Sequence, residues 1–361
     1  MSDANELISF IASMSGEGNL RVEENLGEGY VRLRVSEAER RQAKHDIQHV
    51  EDIVIEMLRN ARDAGADKVY LATTKEDGVR TLVFLDNGSG VPQDMQERIF
   101  DARVTSKLES MKMDRWGVHG RGMALFSIKQ NTDEARVVAS DVDLGSVFKV
   151  SVATDRLGER ADQSSWPQAV KDEDGHYVCA RGPHNIIRAA CEFALEELRA
   201  CDVYLGSPSE IAATLHAQAS SRLDASRLLF IDDEAELPVV DRLGLASDAE
   251  DFIRICSGLG LEMSERTAHR ILAGQIKPVR GVTARLLRER DSSSHASAPV
   301  DLAEDRRGLR IAKDDMAQFS RAVERDFNDL AARYYLNLCG DPKIRVSRDR
   351  ITVTFDLAKE E

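Results

Sequence analysis

Three polar side chains at helical spacing lie in the segment EMLRNARDAGA, residues 56–66. Glu56, Asn60 and Asp63 are separated by four and then three residues, which places all three on one face of a helix. A helix that packs against a core carries apolar side chains on that face instead. This face combines two carboxylates with an amide, so we expect it to border a polar site rather than a core.

A second cluster, DNGSGV, follows a strand-like run and begins at Asp86. A carboxylate at a sheet edge can accept a hydrogen bond from a ring amine. Gly88 and Gly90 allow the backbone to approach a flat ligand closely. The same residues also fit an ordinary strand-to-loop turn, so this cluster alone does not decide between the two interpretations.

A third cluster, GVHGRG, places Gly117, Gly120 and Gly122 directly before a predicted helix. Free N–H groups and the positive end of the helix dipole attract anions at such a position, and a polyphosphate is a natural ligand. A single glycine-rich loop is a weak signal because glycines serve many kinds of turn.

A polar stretch with Thr105, Ser106 and Lys107 precedes the glycine loop by ten residues or more. These residues could form a flexible lid from which Lys107 reaches a phosphate as a point charge. The alternative is a solvated surface loop.

Hydrophobic patterning predicts the elements that must position these clusters. Ser36 is expected to cap one long helix that Gly65 ends, and Asp77-Gly78 is typical of a hairpin. The predicted elements are a strand at 30–35, a helix at 37–64, strands at 68–74 and 81–86, helices at 93–100 and 123–131, and strands at 135–140 and 146–152. This order predicts a mixed sheet with helices on one face, an α/β sandwich.

The rest of the chain has a different character. A short helix near 6–14 and a mobile stretch are expected in the N-terminal segment 1–36, and helices dominate the second half. The predicted divisions there are an irregular connection at 156–183, a helical domain at 184–290, a linker at 291–305, and a long amphipathic helix (314–338) with a terminal hairpin in 306–361.

Composition narrows the class of protein. The chain has 361 residues, a net charge of −14 and five cysteines without a Cys-x-x-Cys pair. No apolar run approaches the roughly 18 residues that a membrane span needs, and the first ten residues do not resemble a signal peptide. We therefore expect a cytoplasmic protein with reduced thiols and no membrane association.

Taken in order, the clusters resemble the motifs of the GHKL superfamily, which includes DNA gyrase, heat-shock chaperones, histidine kinases and MutL. EMLRNARDAGA is similar to the family's N-box in its MutL form, DNGSGV to its Asp-x-Gly-x-Gly box, and GVHGRG to the phosphate loop of gyrase. RIFDARVTSK resembles the phenylalanine box and lid, and LGSVFKVSV the closing strand. The resemblance covers residues 37–155. It implies a Bergerat-type α/β sandwich that binds a nucleotide. Together with the mainly helical C-terminal region that the patterning predicts, this gives an α+β fold for the chain.

The resemblance also implies roles for individual residues. Glu56 would be the general base, Asn60 would bind Mg²⁺, and Asp86 would bind the adenine amine. The remaining nucleotide-binding positions that it implies are Asp63, Gly88, Gly90, Thr105, Lys107, Gly117, His119, Gly120, Arg121, Gly122 and Ser146.

Glu56 favours the gyrase- and MutL-type ATPases over the histidine kinases, which usually carry another polar residue there. His45 and His49 are the nearest upstream histidines and lie on the same predicted helix as Glu56. We expect an Mg²⁺-dependent ATPase whose nucleotide state controls its C-terminal helices. The resemblance also leaves open dimerisation on ATP. Residues 156–361 do not match the transducer domain that supplies a lysine to the γ-phosphate in such ATPases.

Residues 248–275 suggest a helix–turn–helix. Its second helix would present Arg266, Thr267 and Arg270 to DNA, and residues 264–290 carry seven Arg or Lys against two Glu. An ATP-gated DNA-binding regulator with little hydrolysis is therefore the alternative to an ATPase, and a histidine-kinase-like enzyme is a third hypothesis. A helical hairpin with solvated arginines would give the same pattern.

Overall fold

The computed structural model describes residues 22–106, 112–114, 116–119, 122–160, 162–198, 200–223 and 233–287, together with shorter parts of 316–359. The chain divides into two compact units, Met1–Ser293 and Ser294–Glu361. Within the described parts, no helix has both the length and the apolar character needed to cross a lipid bilayer.

A five-stranded mixed sheet forms the centre of the first unit. Its spatial order is β12-β3-β4-β9-β8, and only β12 is parallel to its neighbour. The strands are β3 (Lys68–Glu76), β4 (Val79–Asp86), β8 (Glu134–Ser140), β9 (Ser146–Ala153) and β12 (Asp202–Gly206). The predicted strands 68–74, 81–86, 135–140 and 146–152 are all present.

The turn between β3 and β4 explains their register. Asp77 and Gly78 both adopt positive φ, 47° and 79°, as a two-residue hairpin of the right twist requires. Glu76 then pairs with Val79, and the antiparallel register runs to Val69 opposite Asp86. The predicted hairpin therefore places Asp86 at a fixed end of the sheet.

Both faces of this sheet are covered by helices. Leu71, Leu82 and Phe84 belong to one core, and Tyr70 and Leu85 belong to another. The first core packs against α2 (Val50–Asp63), α3 (Ala124–Asn131) and α4 (Ile186–Glu196). The second packs against α5 (Pro208–Arg222), α6 (Ala249–Gly258) and α7 (Glu265–Leu272). The predicted α+β class is confirmed, but the prediction of helices on one face only is wrong.

The predicted helical domain at 184–290 is not a separate unit. Strand β12 lies within it and pairs with β3 from Asp202 opposite Lys68 to Gly206 opposite Ala72. Helices α5, α6 and α7 then close the second face of the same sheet, and residues 282–287 are helical as well. A boundary near 156–183 therefore does not separate the sheet from the helices that follow it.

The predicted single helix over 37–64 is two helices. The first, α1 (Glu37–Asp46), begins with Ser36 and Glu39 in a capping box, as the Ser36 cap predicts. The Asp52 carboxylate accepts hydrogen bonds from the N–H groups of Gln48 and His49, both at 2.8 Å, and starts α2 at Val50. An acceptor that caps a new first turn ends the continuous helix at this point.

Further differences concern short strands. Strand β2 (Tyr30–Leu33) confirms the strand predicted at 30–35, and it pairs with β1 (Val22–Gly27), which lies where a mobile stretch was expected. Strand β10 (Gln168–Lys171) pairs with β11 (Tyr177–Arg181) in the expected irregular connection. The predicted helix at 93–100 is two short 3₁₀ turns. The helix expected near 6–14 and the linker at 291–305 lie outside the described residues.

Three further short strands lie between residues 104 and 119. Strand β5 (Val104–Thr105) pairs with β2, while β6 (Lys112–Asp114) and β7 (Gly117–His119) form a hairpin.

In the second unit, β13 (Leu336–Leu338) pairs with β16 (Leu357–Lys359), and β14 (Lys343–Val346) pairs with β15 (Ile351–Thr354). The second pair confirms the terminal hairpin. The expected helix 314–338 cannot extend over 336–338, which is a strand. Most of its earlier residues lie outside the described parts.

Candidate functional site

A cavity of about 600 Å³ lies on the first face of the sheet, where α2 passes the end of β4. It is lined by residues from five separate stretches of sequence that the motif analysis singled out. Eight of the predicted site residues line it: Glu56, Asn60, Asp63, Asp86, Gly90, Thr105, Gly122 and Ser146. A volume in the range of 300–1,000 Å³ is typical of small-molecule and cofactor sites.

Helix α2 contributes the polar face that its spacing predicts. Glu56, Asn60 and Asp63 all border the cavity, while Ile53, Val54 and Leu58 of the same helix are fully buried. The helix is therefore amphipathic in an unusual sense, because its second face borders a polar cavity rather than solvent.

Two buried arginines accompany these residues on α2. Arg59 Nη1 donates to Glu56 Oε1 at 2.7 Å, and Arg62 Nε donates to Asp63 Oδ1 at 3.0 Å. Burial alone favours the neutral form of Arg62, but hydrogen bonds and charge from Asp63 and further carboxylates outweigh it, and the pKa of Arg62 is raised. Arg62 therefore stays charged, and the hydrogen bonds of the two arginines hold the carboxylates of α2 in place.

Asp86 ends β4 and is almost fully buried at the cavity wall. Its Oδ1 accepts a hydrogen bond from the N–H of Gly88 at 2.8 Å. That bond fixes the carboxylate in one orientation. A fixed acceptor at the base of a cavity is suited to recognising a single ring amine.

The glycines after Asp86 are required by contacts within the chain. A Cβ on Gly88 would lie 2.8 Å from the carbonyl oxygen of Ala64, at the end of α2. Gly90 has φ +71°, and a Cβ there would lie 1.8 Å from the carbonyl oxygen of Asp141. Neither glycine could therefore carry a side chain unless the neighbouring backbone moved.

Ser146 begins β9 directly opposite Asp86 in the register of the sheet. It is buried and lines the cavity beside that carboxylate. Behind it, Ser140 Oγ donates to the carbonyl of Gly145 and accepts from the N–H of Val91, both at 2.8 Å. Ser140 thereby joins the loop after β4 to the loop before β9. Sequence analysis missed this residue.

Thr105 and Gly122 both line the cavity, as does Arg103, which sequence analysis also missed. Arg103 has a left-handed φ of 63°; its N–H donates to the Gly122 carbonyl at 2.8 Å, and its carbonyl accepts from the Leu33 N–H at 3.0 Å. Its guanidinium pairs with Glu39 and borders the cavity. The signal that could have identified Arg103 is its position in RIFDARVTSK, three residues after the phenylalanine.

Two side chains at this wall of the cavity, Glu39 and Tyr30, have shifted pKa values. Hydrogen bonds from Ser36, and the adjacent Arg103, hold the pKa of Glu39 below its usual value. Burial raises the pKa of Tyr30, whose hydroxyl hydrogen-bonds Ser106. Glu39 therefore remains charged and Tyr30 neutral near pH 7, so this wall offers a neutral donor next to a paired cation.

Several predicted residues cannot be placed in the site. Lys107, Gly120 and Arg121 lie outside the described residues. The backbone of Gly117 and His119 belongs to β7, but their side-chain environment is outside the described set.

The donor set suits a hard cation held largely by its nucleotide. Among the described residues, no group of three or more His, Cys, Asp or Glu side chains could hold a metal ion. Mg²⁺ usually takes one or two protein ligands and completes its shell with phosphate and water oxygens. Asn60, as an amide-oxygen donor on the cavity wall, fits that requirement.

The predicted helix–turn–helix residues lie away from this cavity. Helices α6 and α7 pack on the second face of the sheet and are joined by residues 259–264. Arg266 and Arg270 are exposed and line a shallow depression together with Glu265 and Gln275. The hydroxyl of Thr267 instead contacts Ser264 Oγ at 3.0 Å, at the start of α7.

Comparison with known proteins bears on the same region. Residues 47–140 match the model of the family described as histidine kinase-, DNA gyrase B- and HSP90-like ATPases. The chain is also similar to the DNA mismatch repair protein MutL of Staphylococcus aureus strains Newman, JH1 and Mu3, with 28% identity over 136 residues in each case. Each alignment covers 35% of this chain and 20% of MutL, so the chain spans about a fifth of the length of these relatives.

Proposed function

We propose that this chain, whose residues 47–140 match the histidine kinase-, DNA gyrase B- and HSP90-like ATPase family, binds ATP with Mg²⁺ in the cavity and hydrolyses it. One observation carries the proposal. Glu56, Asn60 and Asp86 come from two distant motifs and line the same cavity of about 600 Å³. The size and the three functional groups match a nucleotide with its metal.

The adenine end is assigned to the junction of β4 and β9. Asp86 would accept a hydrogen bond from the exocyclic amine of the base, with Ser146 beside it. Gly90, which lines the cavity, would lie along one edge of the purine, and Gly88 would keep the loop close to the end of α2. A buried acceptor that loses its partner costs about 1–3 kcal/mol, so this position selects a base that carries an amine.

The phosphate end is assigned to the region between α2 and Gly122. Asn60 would hold Mg²⁺ through its side-chain oxygen, and Mg²⁺ would neutralise charge on the phosphate oxygens. Thr105 and the backbone around Gly122 would bind phosphate oxygens. Asp63, paired with Arg62, would keep α2 correctly placed. Lys107, His119, Gly120 and Arg121 remain predictions for this end.

Glu56 is proposed as the general base. Its carboxylate would take a proton from water as the water oxygen attacks the γ-phosphorus and the bond to the β-phosphate oxygen breaks. Glu56 lies on the cavity wall, one helical turn before Asn60, and is oriented by Arg59 at 2.7 Å. Among the described residues that line the cavity, the arginines are Arg59 and Arg103.

ATP binding and phosphate release, measured for the native chain and for Glu56→Gln in the presence of Mg²⁺, test this proposal. The variant should bind ATP within about threefold of the native affinity and lose roughly 100-fold or more of its turnover. Glu262→Gln is the matched control, since Glu262 is exposed and pairs with Lys149 outside the cavity. Binding without turnover by the native chain would make ATP a switch ligand. No binding would refute the assignment of the cavity.

We also propose that the nucleotide state reaches the C-terminal helices through the sheet. Strand β12 pairs with β3, β3 pairs with β4, and β4 ends at Asp86. Slower amide exchange in α5–α7 on addition of ATP would support this, and unchanged exchange would contradict it.

Light scattering with and without ATP tests whether the chain self-associates when it binds the nucleotide.

DNA binding is a second candidate because Arg266 and Arg270 are exposed on one side of α7. If these arginines contact phosphates, replacing both with Ala should weaken binding to duplex DNA. The salt dependence of the binding constant should then indicate that about two fewer counterions are released. Arg254→Ala on α6 is the control, as Arg254 pairs with Glu234 at 2.5 Å. Binding that is independent of salt or of these arginines would reject this candidate.

Phosphate transfer to a histidine of this chain has weaker support. His45 lies in the last turn of α1, and His49 caps α2 beside Asp52, so both belong to the helical layer next to the site rather than to a separate phosphoacceptor element.

A further inference from the structure

A buried aspartate joins the hairpin β6–β7 to the helix that carries the proposed base. Asp114 ends β6, and its side chain is only 6% exposed. Its Oδ2 accepts hydrogen bonds from Arg59 Nε at 2.9 Å and Arg62 Nη1 at 3.2 Å. Its Oδ1 accepts from the N–H of Trp116 at 3.0 Å. Asp114 therefore links three groups from two distant segments.

Arg59 extends this link to Glu56. One guanidinium donates through Nε to Asp114 and through Nη1 to Glu56 Oε1 at 2.7 Å. The planar guanidinium holds its donors at fixed angles, so the position of Asp114 restricts the position of Glu56. A lysine at this position would offer a single point charge and could not transmit that geometry.

Other contacts hold the β6–β7 hairpin against α4. The ring of Trp116 stacks on Phe193 of α4 with centroids 6.4 Å apart, and Trp116 also lines the cavity. Arg62, which bonds Asp114, reaches Glu197 at the end of α4 at 3.1 Å. The hairpin that includes Gly117 and leads to Gly122 is thus anchored to both helices of this layer.

We propose that Asp114 is a positioning residue for ATP hydrolysis, which holds Arg59 so that Glu56 is oriented for proton transfer and the β6–β7 hairpin stays docked on α2. This inference rests on the proposed function of the cavity. Asp114 would not touch the nucleotide itself. Its loss should therefore lower turnover much more than ATP affinity, because Asp86 and Asn60 keep their places.

The expected loss of turnover follows from the charge balance among Glu56, Arg59 and Asp114. Arg59 and Asp114 are both nearly buried, with side chains 3% and 6% exposed. Without the Asp114 carboxylate, Arg59 loses a strong acceptor and shifts toward Glu56, which becomes misaligned and less able to accept a proton. A displacement of about 1 Å in a reacting group can cost up to roughly 100-fold in rate.

The main experiment compares the native chain with Asp114→Asn, an isosteric change that removes the charge. We expect kcat to fall about 10- to 100-fold while the Kd for Mg²⁺-ATP changes less than about threefold. Asp114→Glu should recover part of the loss because it restores a carboxylate. Asp251→Asn is the matched control, since Asp251 also pairs with an arginine, Arg254, but on α6.

A second readout follows the hairpin directly. Trp116 and Trp166 are the two tryptophans of the chain, so Trp166→Phe makes Trp116 the single fluorophore. In that background Asp114→Asn should increase acrylamide quenching of Trp116, because the ring is less firmly docked on Phe193.

Arg59→Lys provides a test that does not depend on the folding of the Asp114 variant. It should lower kcat as well, and the double variant Arg59→Lys/Asp114→Asn should be no slower than the slower single variant, as expected for residues acting through one contact.

The outcomes separate this inference from the proposed function. Native turnover in Asp114→Asn, with turnover lost in Glu56→Gln, would overturn the role of Asp114 and leave the ATPase proposal standing. Equal losses of affinity and kcat would show that Asp114 supports binding and would also overturn the inference. A native chain that binds ATP without hydrolysing it, or does not bind it, would overturn both.

Discussion

The two faces of the central sheet use alternate residues of the same strands but are built differently. Leu82 and Phe84 of β4 contribute to the face that carries the cavity, whereas Val83 and Leu85 pack under α5–α7. The first face combines an apolar core with buried ions and hydrogen-bonded loops. The second is a mainly apolar layer. The buried ions and loops of the first face border the proposed binding site, while the second face supplies stability to the same strands.

Paired core substitutions should give the largest effects. Phe252 on the second face and Phe193 on the first are both fully buried, and replacement of either by Ala should cost about 3–5 kcal/mol of unfolding free energy. Only Phe193→Ala should also change ATP binding or turnover, since Phe193 supports Trp116 at the cavity. Denaturant unfolding and ATP titration of both variants measure this. Equal effects on ATP binding would remove the distinction between the faces.

Asp86→Asn should affect binding rather than stability. Asn can still accept from the Gly88 N–H, which is 2.8 Å from Asp86 Oδ1, but its amide presents a donor to the adenine amine. We expect ATP affinity to fall by about 2–3 kcal/mol, or roughly 30- to 150-fold, with little change in Tm. Calorimetry and thermal unfolding test this. A large loss of stability with native affinity would place Asp86 in a structural role.

The motif residues could be predicted because each group is local in sequence. Glu56, Asn60 and Asp63 need only a helix to share a face, and Asp86 needs only the Asp77-Gly78 turn to reach the end of a strand. Asp114 could not be predicted in this way, since its pairing with Arg59 spans 55 residues. The pairing of Arg103 with Glu39 spans 64. Charge pairs of this kind depend on tertiary contacts that leave no local pattern.

The amino-acid sequence does contain a signal that helices cover the second face of the sheet. Residues 69–72 of β3 and 82–86 of β4 are buried without interruption, and they read VYLA and LVFLD. Continuous apolar runs are typical of strands covered on both faces, whereas a one-sided sheet alternates. The predicted sandwich missed this layer because the covering helices come from residues 208–272, far along the chain, and because β12 joins the sheet edge by parallel pairing.

A smaller effect is expected from Tyr70→Phe on the second face. The Tyr70 hydroxyl donates to Gln218 Oε1 at 2.5 Å, so its removal should cost about 1 kcal/mol. Burial raises the pKa of Tyr70, and the unfolded chain therefore ionises first above about pH 10. Stability should fall as pH rises above that value, by up to about 1.4 kcal/mol per pH unit from this group.

Denaturant unfolding between pH 8 and 11 checks this pH dependence. The Tyr70→Phe variant should lose less stability above pH 10 than the native chain, and ATP affinity at pH 8 should be unchanged. Identical alkaline slopes for both chains would show that Tyr70 ionises normally in the folded state.

Thiol labelling tests whether the two faces unfold together. Cys201 at the start of β12 and Cys256 on α6 are both buried, which raises the pKa of each thiol to about 12. Each should react with an alkylating reagent at pH 8 only when the chain opens, because the thiolate is the reactive form. Since both cores share the strands of one sheet, we expect both thiols to become exposed in the same global event.

ATP should then slow the labelling of both thiols by the same factor. At a free ATP concentration ten times Kd, that factor is about 11 if ATP binds only the folded chain. Peptide mapping by mass spectrometry resolves the two sites, and Asp86→Asn should abolish the protection at both. Slowing at Cys201 alone would mean that the cavity face opens independently. The helical layer on the second face would then stabilise the strands without sensing the nucleotide, which would also remove the route proposed from Asp86 to α5–α7.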